Sequence, residues 1–246
     1  MALACCKNVV IVGDVKQLPQ IVSQNTKKTS DELFYDVNIG EVYNYSKYSI
    51  IASLMKLYKD ELPRTLLSEH YRCHPKIIGF CNEKFYDNKL VIMTEAKESD
   101  EPLKIFKTAP GNHARKDKLS DEKGWCNIRQ IEVIRDEIVN ENKEKYKEGS
   151  KVGIICPYRR QVTEANKYFE KSKIEVDTVH KFQGREKDTI IFSTVVNDIN
   201  SFVDDENLIN VAVSRAVKEF IHSLPSVKLP PFKRRVNGCY ALDWFN

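Results

Sequence analysis

Four short segments carry side chains suited to phosphate and nucleotide chemistry, each at the end of an apolar run. The first, Gly13-Asp14-Val15-Lys16-Gln17-Leu18-Pro19, follows the β-branched run Val9–Val12. A Gly-Asp turn there would hold the Gln17 amide at the mouth of a phosphate site, although a plain turn with a solvated glutamine has the same sequence. The second, Glu69-His70-Tyr71-Arg72-Cys73-His74-Pro75, sets a phenol ring beside a guanidinium. A ring stacks on a base and a guanidinium donates to phosphate. His70 and His74 have the spacing of two metal ligands on one helix face. Pro75 interrupts such a helix, however, and no carboxylate follows at ligand spacing, so no metal site is expected.

The third segment, Asp177 to Asp188, reads DTVHKFQGREKD. Gly184 permits a close backbone approach, and Thr178, His180 and Gln183 offer hydrogen bonds near a strand end. Glu186 can accept from a ribose hydroxyl, and a polar strand–turn–strand is the bland alternative. In the fourth, Asn210-Val211-Ala212-Val213-Ser214-Arg215-Ala216, one arginine stands in an apolar run. A buried guanidinium needs an anion, and a structural salt bridge would meet that need as well as a ligand would.

Alternating strand and helix patterns must position these segments. Val9–Val12 reads as a buried strand, Ser49–Tyr58 as an amphipathic helix, and Lys27 to Ser46 as a loop or mobile insertion. Leu103–Phe106 suits a short strand, followed by a loop from Ala109 to Lys118. Trp125–Val139 spaces four isoleucines for a helix. Lys151–Cys156, Ile174–Val179 and Thr189–Val196 read as strands, with Arg159–Phe169 and Leu208–Phe220 as helices. The pattern predicts an α/β fold, a mostly parallel sheet with helices on both faces. Ligands of such sheets bind beyond the carboxyl ends of the strands, where all four segments are expected.

Bulk properties narrow the class without deciding it. With 41% apolar and 30% charged residues the chain can bury a core and stay in water. A net charge of +4 is compatible with a polyanionic partner and does not demand one. The seven cysteines (Cys5, Cys6, Cys73, Cys81, Cys126, Cys156 and Cys239) are odd in number and form no CxxC, the usage of reduced thiols. No run approaches the ~20 apolar residues of a membrane span, and the N-terminus lacks the layout of a signal peptide. A soluble, cytoplasmic protein without membrane contact is expected.

In this order the segments GDVKQLP, HYRCHP, VDTVHKFQGREKD and NVAVSRA resemble the later motifs, III to VI, of superfamily 1 (subgroup B) DNA/RNA helicases, nearest to the RNA-surveillance helicases and senataxin. The likeness spans roughly residues 1 to 220. It implies a RecA-like fold of the P-loop NTPase type, with ATP and Mg²⁺ in the cleft between two such domains and single-stranded DNA or RNA as partner. By the same resemblance Gln17 would sense the γ-phosphate, Tyr71 would stack on adenine, and Arg72 and Arg215 would reach the transferring phosphoryl group. Glu186, after Gly184, would contact the ribose, while Thr178, His180 and Gln183 would lie at the nucleic-acid face. The 5′-to-3′ direction of that subgroup is implied too.

The departures are equally clear. No G-x-x-x-x-G-K-[ST] loop occurs in the 246 residues, and Asp31-Glu32, which has the letters of a DExx motif, lacks the strand context to serve as one. Both motifs, with the Mg²⁺ ligands, are expected in a missing N-terminal helicase part. Met1–Glu61 is accordingly expected to be a remnant of the first RecA-like domain, and Leu62–Phe220 the second domain. Residues 221–246, with the basic Lys233-Arg234-Arg235 cluster, would be an atypical tail, frameshifted or divergent. The chain alone would not hydrolyse ATP. A non-catalytic nucleic-acid-binding module and a decayed or split helicase product are the alternatives.

Overall fold

In the computed structural model, which describes residues 7–37, 39–117 and 124–226, the chain separates into two units, Met1–Leu67 and Ser68–Asn246. The first unit holds helix α1 (Gln24–Val37) and helix α2 (Ile50–Tyr58). Ser49 caps α2 by accepting from the Ala52 amide at 3.3 Å, and this helix agrees with its apolar spacing. The other two expectations here fail. Lys27 to Ser46 is not a loop throughout, because α1 occupies most of it. Ser23 caps α1 through the Thr26 amide at 3.1 Å, and Asp31 accepts from Asn44 at 3.1 Å and Ser46 at 2.5 Å. Val9–Val12 forms no strand: Val10 and Val12 are 89% and 85% exposed, with no described strand to pair with.

The second unit is built on five parallel strands: β3 (Leu103–Pro110), β6 (Val152–Cys156), β7 (Glu175–Thr178), β8 (Lys187–Ser193) and β9 (Ala216–Ser226). Their order is β3-β9-β8-β6-β7. Two short pairs stand apart from it: β1 (Glu69–His70) with β2 (Val91–Ile92), and the hairpin β4 (Arg115–Asp117) with β5 (Gly124–Cys126).

Register and alternation define the two faces of the sheet. Ile154, Ile191 and Ile221 are cross-strand partners and share one core cluster with Ile131, Ala165 and Phe169. That face is covered by α4 (Ile128–Val133, continuing in π-helical turns through Asn140) and α5 (Arg159–Phe169). On the opposite face, Gly153 lies against Phe182 of the short helix α6 (Val179–Phe182). Helix α7 (Glu206–Ser214) packs on α3 (Pro75–Phe85) and against β8 and β9.

The expected helix Leu208–Phe220 is corrected: α7 ends at Ser214, and Ala216–Ser226 is a strand inserted between β3 and β8. A strand buried on both faces shows no alternation, so its apolar run was indistinguishable from a helix continuation. This strand carries the chain past Phe220 into the region expected to be atypical, and residues 227–246, with the Lys-Arg-Arg cluster and Cys239, lie outside the described residues, as do Cys5 and Cys6. Trp125 belongs to β5 rather than to the helix expected from it, and β4 occupies the end of the expected loop. Cys73, Cys81, Cys126 and Cys156 are free thiols. No described helix is long and apolar enough to cross a membrane.

Candidate functional site

The segment from His70 to His74 is stitched in place by its own imidazoles. His70 Nε2 accepts from the Cys73 amide at 2.9 Å, and His74 Nδ1 accepts from the Lys76 amide at 3.1 Å, capping α3 with Pro75 in its first turn. The His74 amide donates to the Val217 carbonyl at 2.7 Å, which fastens this segment to the start of β9. Both histidines therefore work on the backbone. Among the described residues no group of three or more His, Cys, Asp or Glu is arranged to hold a metal ion.

This stitching fixes Arg72, which donates to Glu186 Oε2 and to the Ser214 carbonyl, each at 3.1 Å. Glu186 immediately precedes β8 and Arg215 immediately precedes β9, and the Lys187 amide donates to the Arg215 carbonyl at 3.1 Å. Arg215 is only 4% exposed, and its buried Nε has no acceptor. No described carboxylate lies within ion-pair distance, so the structural salt bridge that would account for this arginine is not made. Burial, then repulsion from Arg72, weakens its hold on its proton, although a guanidinium stays charged. Arg72 is shifted the other way: burial works against its charge, but Cys73 and Glu186 outweigh it. Tyr71 turns its ring outward, 65% exposed, while its hydroxyl donates to Glu69, which raises the phenol pKa.

The placement of these groups overturns one expectation. Glu186 and Arg215 lie at the amino ends of their strands, with Arg72 against them, and of the site residues on the five-stranded sheet only Thr178 lies at a carboxyl end. The connection after β7 explains this. It passes through α6 and turns at Gly184, whose φ of +82° suits a residue without Cβ, and so returns to the opposite edge within a few residues. His180 is half-buried on α6, its pKa lowered by burial and then by Arg159, against the pull of Asp205. Gln183 is exposed at the end of that helix. Gln17 belongs to the first unit, where its amide donates to Asp14 at 3.2 Å within a tight turn.

Two partners escaped the sequence reading. The Ser214 carbonyl, which takes Arg72 and also the Cys73 thiol at 3.3 Å, is a backbone atom and leaves no trace in residue type. A buried amide network near the end of β8 was missed as well. Gln130 Oε1 accepts from Ser193 at 2.7 Å and from the Val195 amide at 2.8 Å, and its Nε2 donates to the Ser223 carbonyl at 2.6 Å. Its only signal was a pair of glutamines, Gln130 and Gln161, on the inward faces of two helices.

Known proteins resemble this chain along most of its length. Residues 46–222 match the family model described as the AAA domain. "Helicase sen1" of Schizosaccharomyces pombe is 30% identical over 228 residues, covering 85% of this chain and 12% of that protein. "Probable helicase senataxin" of Mus musculus is 30% identical over 238 residues, covering 86% of this chain and 8% of that protein. The C-terminal domain of a possible DNA helicase from Lactobacillus plantarum superposes with a TM-score of 0.41 at 14% identity, covering 65% of this chain and 90% of that one. The chain thus spans only a small fraction of the length of the curated relatives it matches.

Proposed function

Since the chain belongs to the superfamily 1 helicases of the senataxin kind, with the RecA-like sheet of that family, we propose that it supplies the second domain's half of an ATP site and part of a single-stranded nucleic-acid track. One observation carries this reading: Arg72, Glu186 and Arg215 converge at one edge of the sheet from three distant segments. In it, Tyr71 stacks on adenine, Glu186 accepts from the ribose, and Arg72 and Arg215 donate to the γ-phosphate. Gln17 senses the same phosphate from the first domain, to which Met1–Glu61 is assigned.

Phosphoryl transfer depends on positioning and charge stabilisation more than on covalent chemistry. Arg215 suits that task because its charge is already withdrawn from water and has no carboxylate to neutralise it. Arg72 can exchange Glu186 for phosphate, which releases the carboxylate to a sugar hydroxyl. Because such arginines reach the phosphate only when two domains close, hydrolysis is tied to domain movement, and movement to travel along a strand. Thr178, His180 and Gln183 serve the nucleic-acid side. The phosphate loop and the Mg²⁺ ligands are assigned to sequence other than these 246 residues.

The test is titration of the purified chain with a fluorescent ATP analogue, together with a phosphate-release assay. Weak saturable binding that drops about tenfold in Arg72→Ala and in Arg215→Ala, with no phosphate release, is the expected result. Binding indifferent to both substitutions would remove the site. Turnover by the wild-type chain, abolished by Arg215→Ala, would refute its inactivity alone.

A further inference from the structure

The carboxyl edge of the sheet carries a cluster of aromatic and cationic side chains that the nucleotide site does not use. Tyr158 follows β6 and Phe202 lies in the loop after β8, with ring centroids 5.3 Å apart and planes inclined by 52°. Phe202 is 45% exposed, yet its turn is firmly built. Asn200 Oδ1 accepts from the amides of Phe202 and Val203, both at 3.1 Å, and Asn200 Nδ2 donates to the Tyr158 hydroxyl at 3.0 Å. Val203 beneath is fully buried, and Asp205 caps α7 through the Leu208 amide at 2.9 Å. A phenylalanine gains by turning inward, so a turn that fixes this ring toward water asks for an explanation.

Arg159 follows Tyr158 in the chain, exposed and, among the described residues, with no carboxylate within ion-pair distance. The segments after β6 and β8 meet through Tyr158, Asn200 and Phe202, and His180 of α6, after β7, feels the charges of both Arg159 and Asp205. Asn200 and the Tyr158 hydroxyl put polar groups beside the ring, which suits a solvated polyanion better than an apolar protein face.

We infer that Phe202, backed by Tyr158, is a stacking step for one base of a single-stranded nucleic acid, with Arg159 donating to an adjacent phosphate. Every base has a π face, so such a step tolerates any sequence, and the cation adds a salt-dependent hold on the backbone. The inference rests on the nucleic-acid track proposed above and adds to it the residues that grip the strand.

The test uses the whole chain and fluorescein-labelled short oligothymidylate and oligouridylate, followed by anisotropy over a range of salt. Phe202→Ala should weaken binding about tenfold and leave the salt dependence unchanged. Arg159→Ala should weaken it and lower the slope of log K against log salt by about one. Phe202→Trp should bind like wild type and add emission that the strand quenches, a readout that survives any loss of stability in the alanine variant. Wild-type binding that is indifferent to Phe202→Ala, with no quenching in Phe202→Trp, would overturn this inference and leave the track standing. Failure of the wild-type chain to bind either probe would bring down the track reading and this inference with it.

Discussion

Arg72 donates to the Glu186 carboxylate at 3.1 Å across 114 residues of sequence, and Arg215 sits close enough to repel it. One carboxylate thus faces two guanidiniums, and the more deeply buried of the two is the one without it. The strands dictate this arrangement. Glu186 and Arg215 open neighbouring parallel strands, so their backbones must lie side by side, while the His74–Val217 bond brings Arg72 to the same edge. The excess positive charge at this edge favours an anion.

Such a charge is costly when no anion is present. Arg215→Met keeps most of the side-chain volume and removes a buried guanidinium that has no carboxylate partner. The substitution should stabilise the chain by roughly 1–2 kcal/mol, a rise in Tm of about 2–8 °C by thermal melting. The same variant should lose affinity for the ATP analogue. An unchanged or lower Tm would mean that the guanidinium is already well satisfied in the folded chain.

Glu219 presents the opposite case. It is 5% exposed on β9 and takes Lys104 at 2.8 Å, Lys145 at 2.6 Å and the Tyr146 hydroxyl at 2.9 Å. Burial alone would raise its pKa, but these donors outweigh burial and hold it below the ordinary value of 4.5. A depressed carboxylate stabilises the fold above its unfolded pKa and loses that contribution as pH falls through the folded one. Glu219→Gln should therefore cost on the order of 2 kcal/mol at pH 7, with the gap to wild type closing below pH 4.5 in urea unfolding. A gap that stays constant with pH would show that the charge plays no part.

What could be read from the sequence depended on whether the signal was local. Helix α5 was foreseen at both ends, and β6 to within a residue, because each carries its own period. Arg72, Glu186 and Arg215 stood out through residue type and order. Their convergence at the amino edge did not, since it follows from β8 and β9 being neighbours and from the short return through Gly184. Val9–Val12 shows the limit of β-branched runs, because a strand also needs a partner. Asn127, Gln130, Gln161 and Ser193 failed to register because fully buried polar side chains are indistinguishable in sequence from solvated ones.

His222 should govern stability in a different pH window. It is fully buried on β9 beside Phe192, with Nε2 2.6 Å from the Thr194 hydroxyl oxygen, and burial pulls its pKa down to about 3 from 6.5. The folded value lies below the unfolded one, so its stabilisation is complete above pH 6.5 and drains away toward pH 3. The slope from one such residue reaches about 1.4 kcal/mol per pH unit. Between pH 6.5 and 4.5, above the Glu219 window, His222→Leu should show a shallower fall in urea stability than wild type. His70 and His180, also lowered by burial, leave a residual slope. Identical slopes in the two proteins would mean that His222 titrates normally.

Gly153 links the sheet to the functional turn. It is paired between β7 and β8, and a Cβ there would lie 2.8 Å from a Phe182 ring carbon and 3.0 Å from side-chain atoms of Ile190 and Lys187. The missing side chain lets α6 lie close on the strands, and α6 leads directly into Gly184 and Glu186. Gly153→Ala should cost about 1–3 kcal/mol through overpacking and weaken binding of the ATP analogue as α6 and Glu186 shift outward. Trimming the opposing ring should relieve it, so Phe182→Leu added to Gly153→Ala should be less destabilising than the sum of the two changes. Gly184→Ala provides a contrast. Its Cβ would meet open space, and the cost of roughly 1 kcal/mol comes from the left-handed backbone alone, with no rescue from Phe182→Leu. Strict additivity of Gly153→Ala and Phe182→Leu in thermal melts would show that the glycine is not what seats α6.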